Sequence, residues 1–152
     1  MIKKNKIKIS KKIISHLMMN GKKNTSEKLF LKSLKTLQIT SLKQPKQLLQ
    51  LCVINLILTF KLHKSTNKKI RKKRRKIRIT PVYIGKPLQR ISFGIKLFLK
   101  QLRKRKSNEY FYKKLTNELL LLADNRGIGA ELQSETRKNV IKNKRYLKNY
   151  KW

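Results

Sequence analysis

The sequence predicts a mainly α-helical protein with about six helices and one protruding β-hairpin between the third and fourth helices. Two patterns lead to this prediction. Apolar residues recur at helical spacing along most of the chain, whereas residues 58–84 alternate apolar and polar side chains on both sides of a basic run. The chain has 152 residues, which suits a single domain, residues 1–152, with its own hydrophobic core.

The N-terminal segment predicts a basic arm followed by a first helix. Residues 1–10 mix Ile with Lys and are too polar for a secretory signal, which needs an uninterrupted apolar stretch of about 7 to 15 residues. Apolar residues then recur on one side of a helix at about Ser10–Met19. Asn20 and Gly21 follow as a helix-stop pair.

Two more helices are predicted before the pattern changes. Asn24 and Glu27 have the spacing of a capping box, which predicts helix two at about Thr25–Leu37. Pro45 is well placed in the first turn of helix three. The apolar residues of helix three cover more than half of its circumference, which indicates burial against neighbours. They are Leu48, Leu49, Cys52, Val53, Leu56 and Ile57.

Residues 58–84, which we call the ribbon, are predicted to form two strands around a projecting basic tip. Apolar residues alternate with polar ones from Leu58, and the pattern returns at Ile77. The ribbon tip, Lys68–Lys76, reads KKIRKKRRK and contains eight cations and one Ile. Such a concentration of like charge predicts that the tip enters an anionic cleft.

Three helices are predicted after the ribbon. Helix four spans about Pro87–Arg105, and helix five begins at about Asn108 with apolar residues at helical spacing. Gly127–Gly129 lacks the GK[ST] of a phosphate-binding loop and is interpreted as a helix stop and linker. Helix six begins at about Ser134 and leads into a C-terminal tail at residues 143–152.

Charge is the extreme feature of the composition. The chain has 42 Lys and Arg and 6 Asp and Glu, a net charge of +36. Residues 28–108 contain 24 Lys and Arg and no acid, so no ion pair can form within that stretch. Because self-repulsion of this size destabilises a compact state, the counterions are expected from a polyphosphate, whose condensed cations are released on binding.

Few residues suggest catalysis, a cofactor or a metal. Cys52 is the single cysteine and is interpreted as a small buried hydrophobe. His16 and His63 have no Cys or acid at ligand spacing, so no zinc site is expected. Glu118 and Asp124 are predicted to lie on different faces of helix five, with Glu118 at the surface. We therefore expect no enzymatic activity and no cofactor.

Two alternative functions fit part of the composition. Lys-rich helices also bind anionic lipid, so a cationic membrane-surface protein is one alternative; in that class, however, the cations lie on one helix face, whereas here they also fill a loop. The longest nearly apolar tract, Leu48–Phe60, is shorter than the roughly 20 residues of a membrane helix. A non-specific nucleic-acid chaperone is the other alternative.

The aromatic residues fall into two predicted groups. Those at helical spacing are predicted to lie in the core: Phe93, Phe98, Phe111 and Tyr112. Those near the C-terminus could stack on a base or pack against a protein neighbour: Tyr146, Tyr150 and Trp152.

Three motifs, in this order and spacing, resemble the universal small-subunit ribosomal protein seven family. The first is LMMNGKKNTSEKLFLKSL at Leu17–Leu34. The second is ITPVYIGKP, which leads into a helix ending in RKR at Arg103–Arg105. The third extends from LTNELLLLADNRG at Leu115–Gly127 to NKRYLKNYKW at Asn143–Trp152. Together they cover about Ile13–Trp152.

The resemblance implies a structural role in the small ribosomal subunit. The expected partners are small-subunit rRNA, whose 3′ major domain the protein would organise in the head, and neighbouring head and platform proteins. The ribbon would lie near exit-site tRNA and the mRNA exit path, with transient contacts to both, and no membrane is involved. Binding would depend mainly on phosphate contacts and RNA shape.

The resemblance and the charge pattern together predict RNA contacts after Gly21, along the ribbon, at the start and the end of helix four and in the C-terminal tail. The predicted residues are Lys22, Lys23, Lys68, Lys69, Arg71, Lys72, Lys73, Arg74, Arg75, Lys76, Arg78, Arg90, Arg103, Lys104, Arg105, Lys144, Arg145, Tyr150, Lys151 and Trp152.

Composition also bears on where the protein works. Lys, Ile and Asn are abundant, and A/T-rich genes favour their codons. The N-terminal segment has no Arg and no evident import pattern. We therefore expect an organelle-encoded protein of the mitochondrion, with a plastid-type organelle as the alternative.

Overall fold

A computed structural model describes residues 2–41, 44–66 and 77–149. Within these ranges the chain forms six α-helices, a two-stranded antiparallel hairpin between the third and fourth helices, and a 3₁₀-helix. The mainly α-helical fold predicted from the sequence is confirmed. The helices are α1 (Ile2–Leu17), α2 (Lys23–Thr40), α3 (Pro45–Asn55), α4 (Pro87–Lys104), α5 (Phe111–Ala123) and α6 (Gly127–Lys142); the strands are β1 (Phe60–Thr66) and β2 (Ile77–Tyr83); the 3₁₀-helix is Lys144–Asn149.

The core is formed by the apolar faces of α1 to α5. Helix α5 packs against α2, α3 and α6, and α4 packs against α1. Leu37, Leu102, Leu115 and Leu122 are each only 1% exposed. Fully burying one such side chain contributes roughly 1.5–3 kcal/mol, so this leucine-rich centre is what opposes the repulsion between surface cations.

Helix α1 begins at Ile2 and not at the predicted Ser10. Ile9 already packs against the core in line with Ile13 and Leu17, four residues apart each time, so the apolar stripe begins before Ser10. The predicted stop is confirmed, because Asn20 and Gly21 have left-handed backbone with φ of 48° and 73°.

The predicted capping box at Asn24 and Glu27 is wrong. Helix α2 already begins at Lys23, and Asn24 lies inside its first turn. The left-handed turn at Gly21 reverses the chain at once, which leaves no room for a cap at Asn24. Thr25 Oγ1 instead donates to the Lys22 carbonyl (2.8 Å), and Glu27 pairs with Lys23 (3.7 Å).

The α5–α6 boundary also differs from the sequence prediction. Helix α5 begins at Phe111 and not at Asn108, and α6 begins at Gly127 and not at Ser134. Gly127–Gly129 is therefore the first turn of α6, so its interpretation as a linker is wrong. Gly127 has a φ of 74°, which permits a second helix to start almost directly after the first.

The remaining boundaries shift by smaller amounts. Helix α3 ends at Asn55, and the first ribbon strand begins at Phe60 and not at Leu58. Leu58 is buried (5% exposed) in the connection between them. The strands pair from Phe60 opposite Tyr83 to Thr66 opposite Ile77. Beyond Lys142 the chain continues as the 3₁₀-helix and not as an extension of helix six.

The predicted core positions of Phe98 and Cys52 are confirmed, since they are 2% and 1% exposed. Burial raises the pKa of the Cys52 thiol to about 12, and its Sγ donates to the Leu119 carbonyl (3.1 Å). The thiol therefore stays protonated at neutral pH and acts as a packing group.

The other aromatic residues predicted to lie in the core, Phe93, Phe111 and Tyr112, are only half-buried.

Gly94 of α4 lies where the chain leaves α3. A Cβ built on Gly94 would be 2.1 Å from the Leu56 carbonyl oxygen, a backbone atom that cannot rotate away. By contrast, a Cβ on Gly85 would have nothing within 4 Å. The absence of a side chain at Gly94 thus sets how closely α4 approaches the end of α3.

We predict that Gly94→Ala lowers the free energy of unfolding by roughly 1–3 kcal/mol, because the added methyl forces a backbone shift in the core. Gly85→Ala is the matched control and should leave stability nearly unchanged. Urea unfolding followed by circular dichroism measures both. Equal midpoints for the two variants would contradict the close approach of α4 to Leu56.

Candidate nucleic-acid interface

Two predicted RNA-binding groups lie at neighbouring helix ends. Lys22 is exposed in the turn between α1 and α2, and Lys23 is exposed as the first residue of α2. Arg103, in the last turn of α4, donates through Nη2 to the carbonyls of Leu17 (2.9 Å) and His16 (3.2 Å). The C-terminal turns of α1 and α4 are therefore in contact, which brings the cations at both ends to one part of the surface.

Arg103 is part of the scaffold as well as a predicted RNA contact. The last carbonyls of a helix lack partners within that helix and carry partial negative charge. Arg103 satisfies two of them at the end of α1 and remains exposed. Because a guanidinium has five N–H donors, it can still bind a phosphate with the others.

Arg105 has a different environment from the other two cations of its RKR motif. Its Nη1 pairs with Glu118 Oε1, and Glu118 Oε2 accepts a hydrogen bond from the Ile128 amide (3.2 Å). The Glu118 side chain is 5% exposed, so its predicted surface position is wrong. One carboxylate thus joins the end of α4 to the start of α6.

The spacing of Glu118 could have revealed its burial. It follows Leu115 by three residues and precedes Leu122 by four, which places it on the buried face of α5. A Cβ on Gly127 would be 2.8 Å from Glu118 Oε2. The carboxylate therefore fills the space that a side chain at Gly127 would need.

Most cations of the described residues have no acid partner. Across residues 2–41, 44–66 and 77–149 the ion pairs are Lys23–Glu27 and Arg105–Glu118. Lys22 and Lys104 are exposed and belong to neither pair. Opposite charge supplied from outside the chain would be needed to neutralise them.

Arg90 connects the base of the ribbon to the start of α4. It donates through Nε to the Ile84 carbonyl (2.6 Å) and through Nη2 to the Gly85 carbonyl (3.3 Å). Its guanidinium carbon lies 4.9 Å from the centre of the Tyr83 ring, in cation–π geometry. Arg90 therefore orients the ribbon, and its RNA contact stays a prediction.

Several predicted RNA-binding residues belong to the ribbon and the C-terminal tail. Arg78 lies in β2 opposite Ser65, and Lys144 and Arg145 are exposed in the 3₁₀-helix, which packs against β2. The other residues fall outside the described ranges. They are Lys68, Lys69, Arg71, Lys72, Lys73, Arg74, Arg75, Lys76, Tyr150, Lys151 and Trp152.

His16 lies in the contact between α1 and α4. Its Nε2 is hydrogen-bonded to Ser92 Oγ (2.7 Å). Burial, and then the charges of Lys96 and Lys12, lower the pKa of His16 below its ordinary value. Arg103 adds a further cation beside the His16 carbonyl. The neutral imidazole is therefore the form that suits this contact.

The described ranges contain no candidate membrane span and no candidate metal site. No helix there is long and apolar enough to cross a bilayer. No three His, Cys, Asp or Glu side chains of these residues come together in a way that could hold a metal ion.

Comparison with known proteins yields a family match. The family described as ribosomal protein S7p/S5e matches residues 2–144. No curated protein matches the chain. The matched residues include α1 to α6 and both ribbon strands, so the match covers the contacting ends of α1 and α4.

We predict that Lys104 and Arg105 differ in their effect on RNA binding. Log affinity falls as log salt rises, and Lys104→Gln should make this slope less steep by roughly 0.7–0.9, the value of one phosphate contact. The double variant Arg105→Gln, Glu118→Gln removes one charge of each sign and should keep the wild-type slope. Filter binding of a small-subunit rRNA transcript over a series of salt concentrations gives these slopes. A reduced slope in the double variant would mean that Arg105 contacts a phosphate.

We predict that acid weakens the α1–α4 contact. Because the pKa of His16 is lowered by folding, the unfolded chain binds the proton more readily, and stability present above about pH 6.5 is lost as the pH falls. His16→Gln, which does not titrate, should lose less stability between neutral and mildly acidic pH. His63→Gln changes an exposed histidine and is the control. Identical pH profiles for wild type and His16→Gln would refute the assignment.

Proposed function

The chain belongs to the ribosomal protein S7p/S5e family, whose members are structural, rRNA-binding proteins of the small ribosomal subunit and not enzymes; from this premise we propose that it binds and organises the 3′ major domain of the small-subunit rRNA. This domain forms the head of the subunit. Neighbouring ribosomal proteins of the head and platform are the proposed protein partners.

The observation that carries the proposal is the unopposed charge. Residues 28–108 contain 24 Lys and Arg and no acid, and the ion pairs among the described residues neutralise only Lys23 and Arg105. Phosphates neutralised by the remaining cations would release their condensed counterions, and that release supplies much of the binding free energy. Recognition would then depend on the shape of the RNA backbone.

The fold supports an organising role because it holds cations in more than one place. Arg103 fixes the end of α4 against α1, beside Lys22 in the turn and Lys23 at the start of α2. Arg90 fixes the base of the ribbon on the start of α4. Two separate RNA segments bound at these places would be held at the spacing that α4 imposes, which favours one folded form of the RNA.

The ribbon and the cellular compartment are further parts of the proposal. We propose that the ribbon lies near exit-site tRNA and the mRNA exit path, on the strength of its basic tip and the family resemblance. We also propose that the protein works in the small ribosomal subunit of a mitochondrion, or of a plastid-type organelle as the alternative. The abundance of Lys, Ile and Asn supports an organellar gene.

Sedimentation of the native protein from a mitochondrial lysate tests the proposal. We expect co-migration with small ribosomal subunits after a moderate salt wash. A variant with Arg74, Arg75 and Lys76 changed to Gln should leave the subunit at lower salt, since each lost phosphate contact weakens binding. Arg74→Lys with Arg75→Lys keeps the charge and is the matched control.

Two other results would contradict this function. If the protein floats with anionic liposomes in the presence of competing rRNA, it is a membrane-surface protein. If it binds duplex DNA as tightly as rRNA and stays at the top of the gradient, it is a non-specific nucleic-acid chaperone.

A further inference from the structure

Tyr110 presents an aromatic ring to solvent at the start of α5. It is 71% exposed, although the two residues that follow it are half-buried. It occupies the cap position, with φ of −58° and ψ of 139°, and so precedes the helical backbone. A single exposed tyrosine is common on protein surfaces. Tyr110, however, has a second aromatic ring beside it.

Tyr112 supports the ring of Tyr110 from one side. The two ring centres are 5.8 Å apart and the rings are 22° from parallel, a stacked arrangement. Tyr112 is itself half-buried, and its carbonyl accepts a hydrogen bond from the buried Thr116 (2.9 Å). Thr116 is in turn bonded to Thr36 of α2 (2.7 Å). The exposed ring is therefore backed by a second ring on an anchored turn, which lowers the entropy lost on binding.

Lysines flank this pair of rings along the chain. Lys106, Lys113 and Lys114 lie within four residues of Tyr110 along the chain, against a single acid, Glu109. Lys114 Nζ donates to the carbonyl of Arg105 (3.3 Å), which ties the first turn of α5 to the end of α4. The rings are thus placed next to the cations that follow α4.

An open aromatic face with cations around it matches the chemistry of a single-stranded nucleic acid. Unpaired bases stack on aromatic side chains while Lys holds the neighbouring phosphates. Bases within a duplex have both faces covered by their neighbours and cannot stack in this way. An acidic protein segment would satisfy the lysines and would leave the ring face without an aromatic partner.

We propose that Tyr110, backed by Tyr112, is a stacking platform for an unpaired nucleobase of the bound RNA. The inference rests on the proposed RNA-binding function and adds a contact that does not depend on charge. Lys106 and Lys113 hold the phosphates on either side of the stacked base. The platform thus selects a loop or bulge over a regular helix at this point of the surface.

Three RNA probes of equal charge test the platform with the full-length protein: oligoadenylate, the same oligonucleotide with abasic riboses, and a duplex RNA. Tyr110→Ala should weaken oligoadenylate binding between roughly 5-fold and 100-fold, the usual effect of losing one base stack. Binding of the abasic and duplex probes should not change. Tyr110→Phe and Tyr110→Trp keep an aromatic face and should retain the wild-type affinity.

Salt dependence separates stacking from charge. Tyr110→Ala should leave the slope of log affinity against log salt unchanged, because no phosphate contact is lost. Lys113→Gln should lower that slope by roughly 0.7 on the single-stranded probe. Leu31→Ala is the control for loss of an exposed apolar group, since Leu31 is 62% exposed on α2. It should bind all three probes as the wild type does.

The possible failures are distinguishable. If the wild type binds no probe with steep salt dependence, the proposed RNA-binding function fails. If wild-type binding does depend steeply on salt, and Tyr110→Ala binds oligoadenylate as tightly as the wild type, the stacking platform is refuted and the RNA-binding function is retained. If Tyr110→Ala weakens the abasic probe equally, the effect is structural, and stacking is again overturned.

Discussion

Repulsion between like charges is the constraint on which the rest of this structure depends. Two cations about 10 Å apart in water repel by roughly 0.4 kcal/mol before salt screening, and this chain carries a net charge of +36. The fold opposes the sum with a leucine core that α5 shares with α2 and α3. It leaves lysines exposed on the outer faces of helices and in turns, where their side chains can move apart. The folded chain is therefore stabilised most when a polyanion binds, because binding removes the repulsion between the cations and favours the folded state.

Glu118 is the buried acid of the described residues, and it connects helices to one another. Glu118, in the middle of α5, joins Arg105 and the Ile128 amide, so one carboxylate links the end of α4 to the start of α6. Breaking such a buried pair from one side leaves an uncompensated charge, which is costly, although the exposure of Arg105 (62%) reduces the cost through solvent screening. The chain has six acids. Because one of them is buried here, it neutralises no other surface cation, but it fixes the geometry of the chain after α4. The RKR motif therefore has a fixed end and cannot swing as a flexible tail.

The helices and the order of elements could be predicted from the sequence because apolar spacing and proline positions are local signals. Pro45 and Pro87 each begin a helix where expected. Helix starts that depend on distant contacts could not be predicted in this way. The start of α6 at Gly127 is stabilised by Glu118, which lies on the preceding helix. The positions of the charged groups along the chain were predictable, whereas the internal partner of Arg105 required the tertiary structure.

The arginines and lysines of the predicted interface make different kinds of contact because their side chains differ chemically. Arg90 and Arg103 bind backbone carbonyls of other segments, which a planar fork of five donors can do while keeping some donors free. Lys22 and Lys104 make no ion pair among the described residues and are exposed. Since a lysine ammonium is a mobile point charge, it can follow a phosphate without disturbing the fold, whereas moving an arginine would loosen a helix end. If the interface binds RNA as proposed, the arginines would set where the RNA backbone can lie and the lysines would adjust to it, so that shape recognition and charge neutralisation would come from different residues of one surface.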